Sequence, residues 1–504
     1  MKIALEFTPA QSTEHQSRLR YAFQLFCAVY GHKPVLDNMK ADTADLRITY
    51  FGDLAMRQGP KVLRLYNGYR PRSLTSPAPR PRSFSKDGRT TMLFYPPEDS
   101  AEVDWLAEIF EWVSCAHEYS ASARDSVGRI PFEESVFARY KLDERIPYAA
   151  LAMWFFQHTI CKLFPATEER ARVPEISFRH AIVCSHDVDF ISLGYLSTLA
   201  RLAKNSIISL LQKSPILAFG IAGRTVRFAL GGINPLRNAE QLARSEQASG
   251  VTSSFNFLVR HGHRRDANYR IESRAVIALA KRLQSMGMEI GVHGSYTSLD
   301  TAAGLAGEFE VLQKHGFRPL GGRQHWLRFT LDWLIPEVER AGALFDTSLG
   351  WQNRIGFRAG ACFPFPPYNF AEERPARFLE LPLAVMDQAL PAKAEEAFRE
   401  VAGLLATSRM YGWGGISLLW HPEAFGGGQL PIGIGRTFYD LVNLRSEWKD
   451  TWLSAGEFVR KVCNRYIEAG LMDRVWGANL INVDEIAQSS VEDQRTRNLH
   501  VALP

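Results

Sequence analysis

Short apolar runs and longer amphipathic segments alternate along most of the chain after residue 178. Runs such as 180–183, 252–258 and 288–292 are followed by segments in which apolar residues recur every three or four positions. Short runs of this kind predict buried strands, and the longer period predicts helices. Strands that alternate with helices indicate a parallel sheet, and this many repeats favour a (β/α) barrel or part of one.

The first third of the chain has a weaker form of this pattern. Helical periodicity over 13–30 ends at Gly31, strand-like runs follow at 46–51 and 61–66, and the Pro-, Ser- and Arg-rich stretch 71–86 predicts an exposed loop. The predicted parts are a small N-terminal α/β domain of unknown role over 1–124, a connecting helical segment over 125–177, the barrel over 178–475 with a helical insertion over 195–250, and a C-terminal tail over 476–504.

The beginning of the insertion, 195–230, is apolar and basic and contains no acidic residue. Two interpretations of it are open. The favoured one is a helical lid over the neighbouring site, because Pro215 and the glycines interrupt any single long helix. The other is peripheral contact with an anionic membrane surface, which basic amphipathic helices bind.

Charge and cysteine content narrow the class of protein. A net charge of +5 on 504 residues is too small for a dedicated nucleic-acid binder, so no nucleic-acid partner is predicted. The six cysteines show no CxxC pair, which is typical of free thiols in a reducing compartment. Without a signal-peptide pattern or a membrane-spanning run, a cytoplasmic protein is expected, peripheral to the inner membrane surface if 195–230 bind lipid. The sequence leaves the oligomeric state open.

Side chains of the types that bind metals or transfer protons stand where the predicted strands end. Singly, each has an ordinary explanation, since Asp is common in turns and most histidines at strand ends pack in the core. Together they predict a shared site, because a barrel brings the carboxyl ends of its strands into one mouth. The residues are Asp187 and Asp189, which point the same way in an extended chain, His293, Arg323 with His325, and His421.

These residues carry a resemblance to a known family. In order, Asp187-Val188-Asp189, His293, Arg323 and Leu419-Trp420-His421-Pro422 resemble the motifs of the polysaccharide deacetylases, the NodB-homology domains of carbohydrate esterase family four. The likeness covers roughly 178–469 and is greatest to a bacterial subgroup with an extra N-terminal domain. It implies a distorted (β/α) barrel and a metal-dependent hydrolase that removes N-acetyl, sometimes O-acetyl, groups. The expected partner is an acetylated amino-sugar carbohydrate.

The resemblance also implies residue roles. Asp187 is the expected base that takes a proton from the attacking water, Arg323 orients Asp187 and keeps it ionised, and His421 protonates the departing nitrogen. Asp189 and His293 hold a divalent cation, for which zinc is the expected ion. Tyr296, Trp326 and Arg358 are the predicted substrate-binding residues, although Arg358, between the glycines of 356–360, also suits a turn with a solvated arginine.

One departure from the family pattern leaves two questions open. The family's second motif has another histidine four residues after the first, and Thr297 stands at that position. We predict His325 as the replacement metal ligand; Ser298, Thr297 or water are the alternatives, as is simple packing of His325 against Trp326. If no metal binds, the chain is instead a catalytically inactive carbohydrate-binding or scaffold protein of polysaccharide biosynthesis.

Overall fold

The computed structural model describes residues 1–7, 12–50, 62–65, 69, 71, 73–97, 103–163, 178–191, 195–211, 215–230, 238–261, 263–425 and 432–480. Most of the predicted tail and residues 164–177 of the predicted connecting segment lie outside these ranges. Within them the chain is mixed α/β, and strands alternate with helices as the hydrophobic pattern predicts.

The N-terminal region builds a parallel sheet of its own. Its strand order is β2-β1-β3-β4, from β1 (Lys2–Phe7), β2 (Lys33–Val35), β3 (Leu46–Tyr50) and β4 (Val62–Leu65). Helix α1 (Thr13–Tyr30) begins where Ser12 caps the N–H of His15 and ends at Gly31, whose φ of 68° suits a left-handed cap.

Part of the predicted loop 71–86 is a strand. β5 (Arg82–Lys86) pairs antiparallel with β6 (Arg89–Leu93) across Asp87 and Gly88, both at positive φ. Two residues at positive φ make the tight turn that suits the twist of a hairpin, and this local signal outweighs the Pro- and Ser-rich composition. Three helices follow: α2 (Trp105–Val113), α3 (Val136–Tyr140) and α4 (Tyr148–Leu163).

The second half of the chain forms a larger sheet with helices between its strands. The strands are β7 (His180–Val188), β8 (Ser254–Leu258), β9 (Glu289–Gly294), β10 (Gly321–Gln324), β11 (Phe345–Asp346), the small antiparallel pair β12 (Tyr368–Asn369) and β13 (Arg374–Pro375) outside the sheet, then β14 (Leu379–Glu380), β15 (Leu383–Met386), β16 (Gly414–Leu419) and β17 (Asp450–Leu453). The helices are α5 (Tyr195–Leu211), α6 (Pro215–Ala229), α7 (Asn238–Ala248), α8 (Arg274–Ser285), α9 (Gly304–Lys314), α10 (Leu331–Arg340), α11 (Ala394–Tyr411), α12 (Ile432–Trp448) and α13 (Ala455–Glu468).

The two edges of this sheet meet on one segment. The order is β14-β11-β10-β9-β8-β7-β16-β15, with β17 beside the first half of β7, and every pair is parallel. β14 and β15 are separated only by Leu381 and Pro382, so one stretch borders β11 on one side and β16 on the other. The sheet therefore curls, which is consistent with the predicted (β/α) barrel, and its strands end at a common edge.

The N-terminal region packs directly on the larger sheet. Tyr21 in α1 donates a hydrogen bond to the carbonyl of Pro366 at 2.6 Å, and the Trp413 indole N–H donates to Val29 O at 3.1 Å. One continuous hydrophobic core runs through both regions. The predicted boundary at residue 124 stays a prediction. No described helix combines the length and apolar character needed to cross a membrane.

Candidate active site

A cavity of about 440 Å³, including its open mouth, lies at the carboxyl ends of the strands. β7 is longer than the predicted run 180–183 and extends to Val188, so that Asp187 is in the strand and Asp189 follows it. The cavity lining contains seven of the residues predicted for the site: Asp187, Asp189, His293, Arg323, His325, Trp326 and His421. The other lining residues are Gln324, Leu327, Gln352, Met386, Gln388 and Leu419.

Asp187 is held through one of its two oxygens. Oδ1 accepts hydrogen bonds from Asn256 Nδ2 at 2.8 Å and from Arg323 Nη1 at 3.1 Å. Oδ2 faces His293 Nε2 at 3.6 Å, beyond hydrogen-bond distance. Burial alone would raise the pKa of Asp187, but the charge of Arg323, followed by that of His293, outweighs it and lowers the pKa. Asp187 is therefore a fixed, ionised carboxylate with one oxygen left toward the cavity.

Arg323 is itself fixed by residues from other strands of the sheet. Its Nη2 donates to Ser185 Oγ and Ser417 Oγ, both at 2.9 Å, and its Nε donates to Thr347 O at 2.9 Å. These contacts tie the guanidinium to β7, to β16 and to the residue after β11. The planar group therefore has one orientation toward Asp187.

Asp189, His293 and His325 form a candidate metal-binding group. One ligand atom of each lies within 4.8 Å of the others. The Nδ1–H of His293 donates to Arg323 O at 2.9 Å, which leaves Nε2 toward Asp189 Oδ1 at 3.2 Å. His325 Nε2 lies 3.7 Å from the same oxygen. A backbone carbonyl that fixes one nitrogen of a histidine and frees the other is usual in metal sites.

A strained turn brings His325 to this group. β10 ends at Gln324, and the next turn places Trp326 and Leu327 at φ values of 63° and 49°. Non-glycine residues at positive φ cost about 1–3 kcal/mol each. The turn directs the imidazole of His325 into the cavity and leaves the Trp326 side chain 38% exposed at its rim.

The buried oxygen of Asp189 supports a cation at this position. Among the described residues, Asp189 Oδ1 has no hydrogen-bond partner although it is buried. One carboxylate and two imidazoles are a ligand set that suits zinc and related divalent ions. Asp189, His293 and His325 therefore fit a metal, and the donor set leaves the identity of the ion open.

His421 faces Asp189 from the opposite side. Its Nε2 lies 3.6 Å from Asp189 Oδ2, while its Nδ1 donates to Asp387 Oδ1 at 2.8 Å and its backbone N–H donates to Asp387 Oδ2 at 2.7 Å. Burial alone would lower the pKa of His421, but the charge and hydrogen bond of Asp387 outweigh it and raise the pKa to about 10. At neutral pH His421 therefore carries a proton that Nε2 can donate.

Two of the predicted substrate-binding residues are not part of the cavity lining. Arg358 is buried, and its Nε and Nη2 donate to the two carboxylate oxygens of Glu118 at 2.8 and 2.7 Å. Tyr296 stacks on His263 with ring centroids 4.5 Å apart, and Arg265 Nη1 donates to its hydroxyl. Trp326 does line the cavity.

The alternatives to His325 as third ligand lie elsewhere. Ser298 Oγ donates to the buried Glu308, and Thr297 opens the short turn that follows β9 without lining the cavity. Of the protein candidates named from the sequence, the structure brings His325 to Asp189 and His293.

Sequence reasoning missed Asp387 and Asn256. Asp387 directly follows β15, so the rule that picked out the other strand-end residues also applies to it. Asn256 lies within β8, and its cross-strand partner in the register is Asp187 on β7, a neighbour that the strand order alone reveals. Gln352 and Gln388 at the cavity have no signal in the sequence that we can identify.

A second buried group of metal-ligand type lies on the other side of β7. It consists of Cys184, His186 and Glu246. His186 Nε2 is 2.8 Å from Glu246 Oε1, and Ser253 Oγ donates to Glu246 Oε2 at 2.7 Å. These side chains satisfy one another by hydrogen bonds and none lines the cavity, so the group is explained as a buried polar network.

The fold and site together define a mixed α/β protein whose curled parallel sheet carries a candidate metal-binding group where its strands end. No family model and no curated protein matches the chain. Among solved structures, the 4-alpha-glucanotransferase of Thermococcus litoralis is 11% identical, with a TM-score of 0.34 over 56% of this chain and 40% of that one. The peptidoglycan deacetylase PdaC of Bacillus subtilis is 8% identical, with a TM-score of 0.26 over 57% of this chain and 94% of that one. The chain thus spans less than half of the glucanotransferase, and likenesses this low decide neither fold type nor activity.

Proposed function

We propose that this protein is a metal-dependent hydrolase that removes an acetyl group, chiefly N-acetyl, from a sugar of a polysaccharide or its precursor. The observation that carries the proposal is a carboxylate and an imidazole that both face the candidate metal-binding group in one cavity. Asp187 Oδ2 lies 3.6 Å from His293 Nε2, and His421 Nε2 lies 3.6 Å from Asp189 Oδ2. A fixed carboxylate and an imidazole placed in this way are suited to act as base and acid.

Asp187 supplies the base. Arg323 and Asn256 occupy its Oδ1, so Oδ2 is the atom that accepts a proton from the attacking water. Arg323 keeps the carboxylate ionised and fixes its plane, and it acts through Asp187 rather than on the substrate.

His421 supplies the acid. Cleavage of an amide expels an amine, which leaves far more readily when its nitrogen is protonated. The Asp387 carboxylate fixes Nδ1 and thereby directs the proton on Nε2 toward the cavity. Without Asp387 the pKa of His421 would be lower, because burial of the imidazole disfavours the charged form.

Asp189, His293 and His325 would hold the metal, for which zinc is the proposed ion. When bound, a divalent ion polarises the acetyl carbonyl and lowers the pKa of water. The protein's part is to hold these three ligands in place: Arg323 O fixes His293, and the strained turn after β10 fixes His325. The exposed Trp326 indole at the rim offers an apolar face for a sugar ring.

The proposed fold type is the distorted (β/α) barrel of the polysaccharide deacetylases. The parallel order and the closure on 379–386 support it, as does the placement of the polar residues at strand ends. In barrels of this kind the chemistry lies at the carboxyl ends of the strands.

Acetate release tests the proposed activity. Zinc-loaded protein is incubated with N-acetylglucosamine oligomers and with O-acetylated glycans, and acetate is measured for the wild type, Asp187→Asn and His421→Ala. Each substitution is expected to lower the rate by about 10²–10⁴-fold. The matched controls are Asp332→Asn, at an exposed aspartate of α10, and His315→Ala, at the end of α9. Full turnover by Asp187→Asn would remove the assignment of the base.

An absence of acetate release by the wild type also tests the proposal. If zinc-loaded protein binds these glycans but releases no acetate from any of them, the hydrolase proposal is wrong. Zinc content of the same preparations separates loss of metal from loss of acid–base chemistry, because Asp187→Asn should retain the metal whereas Asp189→Ala and His293→Ala should lose it.

A further inference from the structure

The solvent-exposed surface of the helical hairpin α5–α6 carries many large apolar side chains. Twelve large hydrophobic residues are exposed among the described residues, and eight of them lie in 195–230. Exposed apolar residues gathered on one hairpin, rather than scattered singly over a surface, mark an interaction surface. The eight are Tyr195, Leu196, Ile207, Leu210, Leu211, Phe219, Val226 and Leu230, with exposed fractions of 50–82%.

The inner face of the hairpin buries polar residues beside a few apolar ones. Thr198, Asn205 and Ser209 are almost fully buried on the inner face of α5. Ser206 Oγ donates to Ala218 O at 2.9 Å, and Tyr195 OH donates to Ala229 O at 3.1 Å, so the two helices are antiparallel. Buried polar side chains between two helices, together with large apolar side chains on their outer faces, depart from the pattern of a water-facing helix and suit helices in contact with lipid.

Each helix presents its apolar residues as one stripe. On α5, positions 196, 200, 203, 207 and 210 are Leu, Ala, Ala, Ile and Leu, all exposed and at helical spacing. On α6, Phe219, Val226 and Leu230 recur at the same kind of spacing. Lys204 and Arg227 lie beside these stripes and are also exposed. Long basic side chains in this position place their stems along the apolar surface and their charges in the headgroup layer.

The charge of the segment selects an anionic occupant. From Phe190 to Ala239 the sequence contains no acidic residue, and it contains six basic ones: Arg201, Lys204, Lys213, Arg224, Arg227 and Arg237. Arg224 Nε and Nη2 are buried without a hydrogen-bond partner in the described part of the chain. A second copy seated on the same face would bring basic residues against basic residues, which opposes association. An anionic lipid bilayer satisfies both features, because its phosphates pair with the basic residues and the acyl boundary accepts the apolar stripes.

We propose that the α5–α6 hairpin docks on the surface of an anionic lipid bilayer, with its apolar stripes in the headgroup region and its basic residues on lipid phosphates. The hairpin is a separate unit: Leu202, Ile221 and Phe228 form a small core apart from the main one. Phe190 packs against that core and directly follows Asp189. Docking would therefore hold the mouth of the cavity beside the membrane, whatever reaction the cavity performs.

Vesicle flotation tests the proposal. Full-length protein is mixed with vesicles of phosphatidylcholine alone or with about 30% phosphatidylglycerol, and the floated fraction is measured at low and high salt. We expect binding to the anionic vesicles, a decrease of binding with salt, and at least about tenfold weaker binding after Leu211→Ser, Phe219→Ser and Leu230→Ser are combined. Because the readout requires no catalysis, it is independent of whether the protein releases acetate.

Matched controls separate binding through the hairpin from nonspecific hydrophobic adsorption and from nonspecific electrostatic attraction. The substitutions Leu163→Ser, Met410→Ser and Val475→Ser, at three exposed apolar positions outside the hairpin, should leave flotation unchanged. Lys204→Glu with Arg227→Glu should weaken binding, whereas Lys281→Glu with Arg318→Glu, at exposed positions elsewhere, should have a small effect. Wild type that does not float with anionic vesicles would overturn the proposal. The proposal would also be overturned if the protein bound no vesicles but formed a dimer that Leu211→Ser, Phe219→Ser and Leu230→Ser together convert to a monomer. The apolar face would then be a contact between two copies of the chain.

Discussion

Asp387 accepts two hydrogen bonds from His421, one from the backbone N–H of His421 at 2.7 Å and one from its Nδ1 at 2.8 Å. The two residues follow neighbouring strands, β15 and β16, which pair in parallel. The aspartate therefore fixes both the position of the histidine and the orientation of its ring, and its charge raises the pKa of an imidazole whose burial alone would lower it. This pair sets the pH at which His421, the acid of the proposed reaction, loses its proton.

The first prediction follows from that pair. In the wild type the pKa of His421 is raised from 6.5 to about 10, so the protonated acid is present through neutral pH and is lost as pH rises toward 10. Asp387→Asn removes the charge that raises the pKa, and the alkaline limb of the kcat/KM profile should move to lower pH. The pH profile of acetate release checks this.

The same substitution has a signature in stability. A histidine with a raised pKa stabilises the fold fully below its unfolded value of 6.5 and loses that contribution as pH rises through the folded value. The difference in unfolding free energy between the wild type and Asp387→Asn should therefore be largest below pH 6.5 and shrink at alkaline pH. A difference that is constant across this range would show that Asp387 acts only by packing.

The second prediction concerns the third metal ligand. His325→Ala should weaken zinc binding by at least about tenfold, because a site reduced to Asp189 and His293 holds the ion poorly. Thr297→Ala is the matched control and should leave the affinity unchanged, since Thr297 does not line the cavity. Competition with a chelator measures both. Unchanged affinity in His325→Ala would give the third position to water.

The third prediction tests how Asn256 reaches Asp187. Gly291 faces Asn256 across β8 and β9, and a Cβ there would lie 2.2 Å from Asn256 Oδ1. Gly291→Ala should displace the amide from Asp187 and lower acetate release, with a loss of about 1–3 kcal/mol in unfolding free energy. In the Asn256→Ala background the added methyl group should cost much less.

A control glycine makes this test specific. Gly403 is exposed within α11, and a Cβ there meets no atom within 4 Å. Gly403→Ala should leave acetate release unchanged and stabilise the fold by up to about 1 kcal/mol, because alanine is the better helix former. If Gly291→Ala lowered the unfolding free energy equally in the wild type and in Asn256→Ala, the added methyl group would not act by displacing Asn256 from Asp187.

The fourth prediction concerns Arg358. Its removal leaves Glu118 buried without a countercharge, so Arg358→Met should destabilise the fold by about 3–5 kcal/mol at neutral pH. Combining it with Glu118→Gln should restore part of the loss, and denaturant unfolding measures both. A stable Arg358→Met variant with weaker carbohydrate binding would instead return Arg358 to the substrate-binding role that the sequence suggested.

The effect of pH on this variant has a definite sign. Burial alone would raise the pKa of Glu118, but the Arg358 charge outweighs it and lowers the pKa. The pair therefore stabilises the fold above the unfolded glutamate value of 4.5, and that contribution is lost as pH falls through the folded pKa. The gap in stability between wild type and Arg358→Met should narrow in acid.

The sequence by itself determined the alternation of strands and helices and the strand-end position of Asp187, Asp189, His293 and Arg323. Those features are local, since hydrophobic period and residue type are written along the chain. Only the tertiary structure decided which strand ends meet. It joined Asp387 to His421 because β15 lies beside β16, and it brought His325 to Asp189 through two residues at positive φ. It also paired Arg358 with Glu118, 240 positions away. Contacts of that kind depend on strand order and on packing between distant segments, which no local pattern encodes.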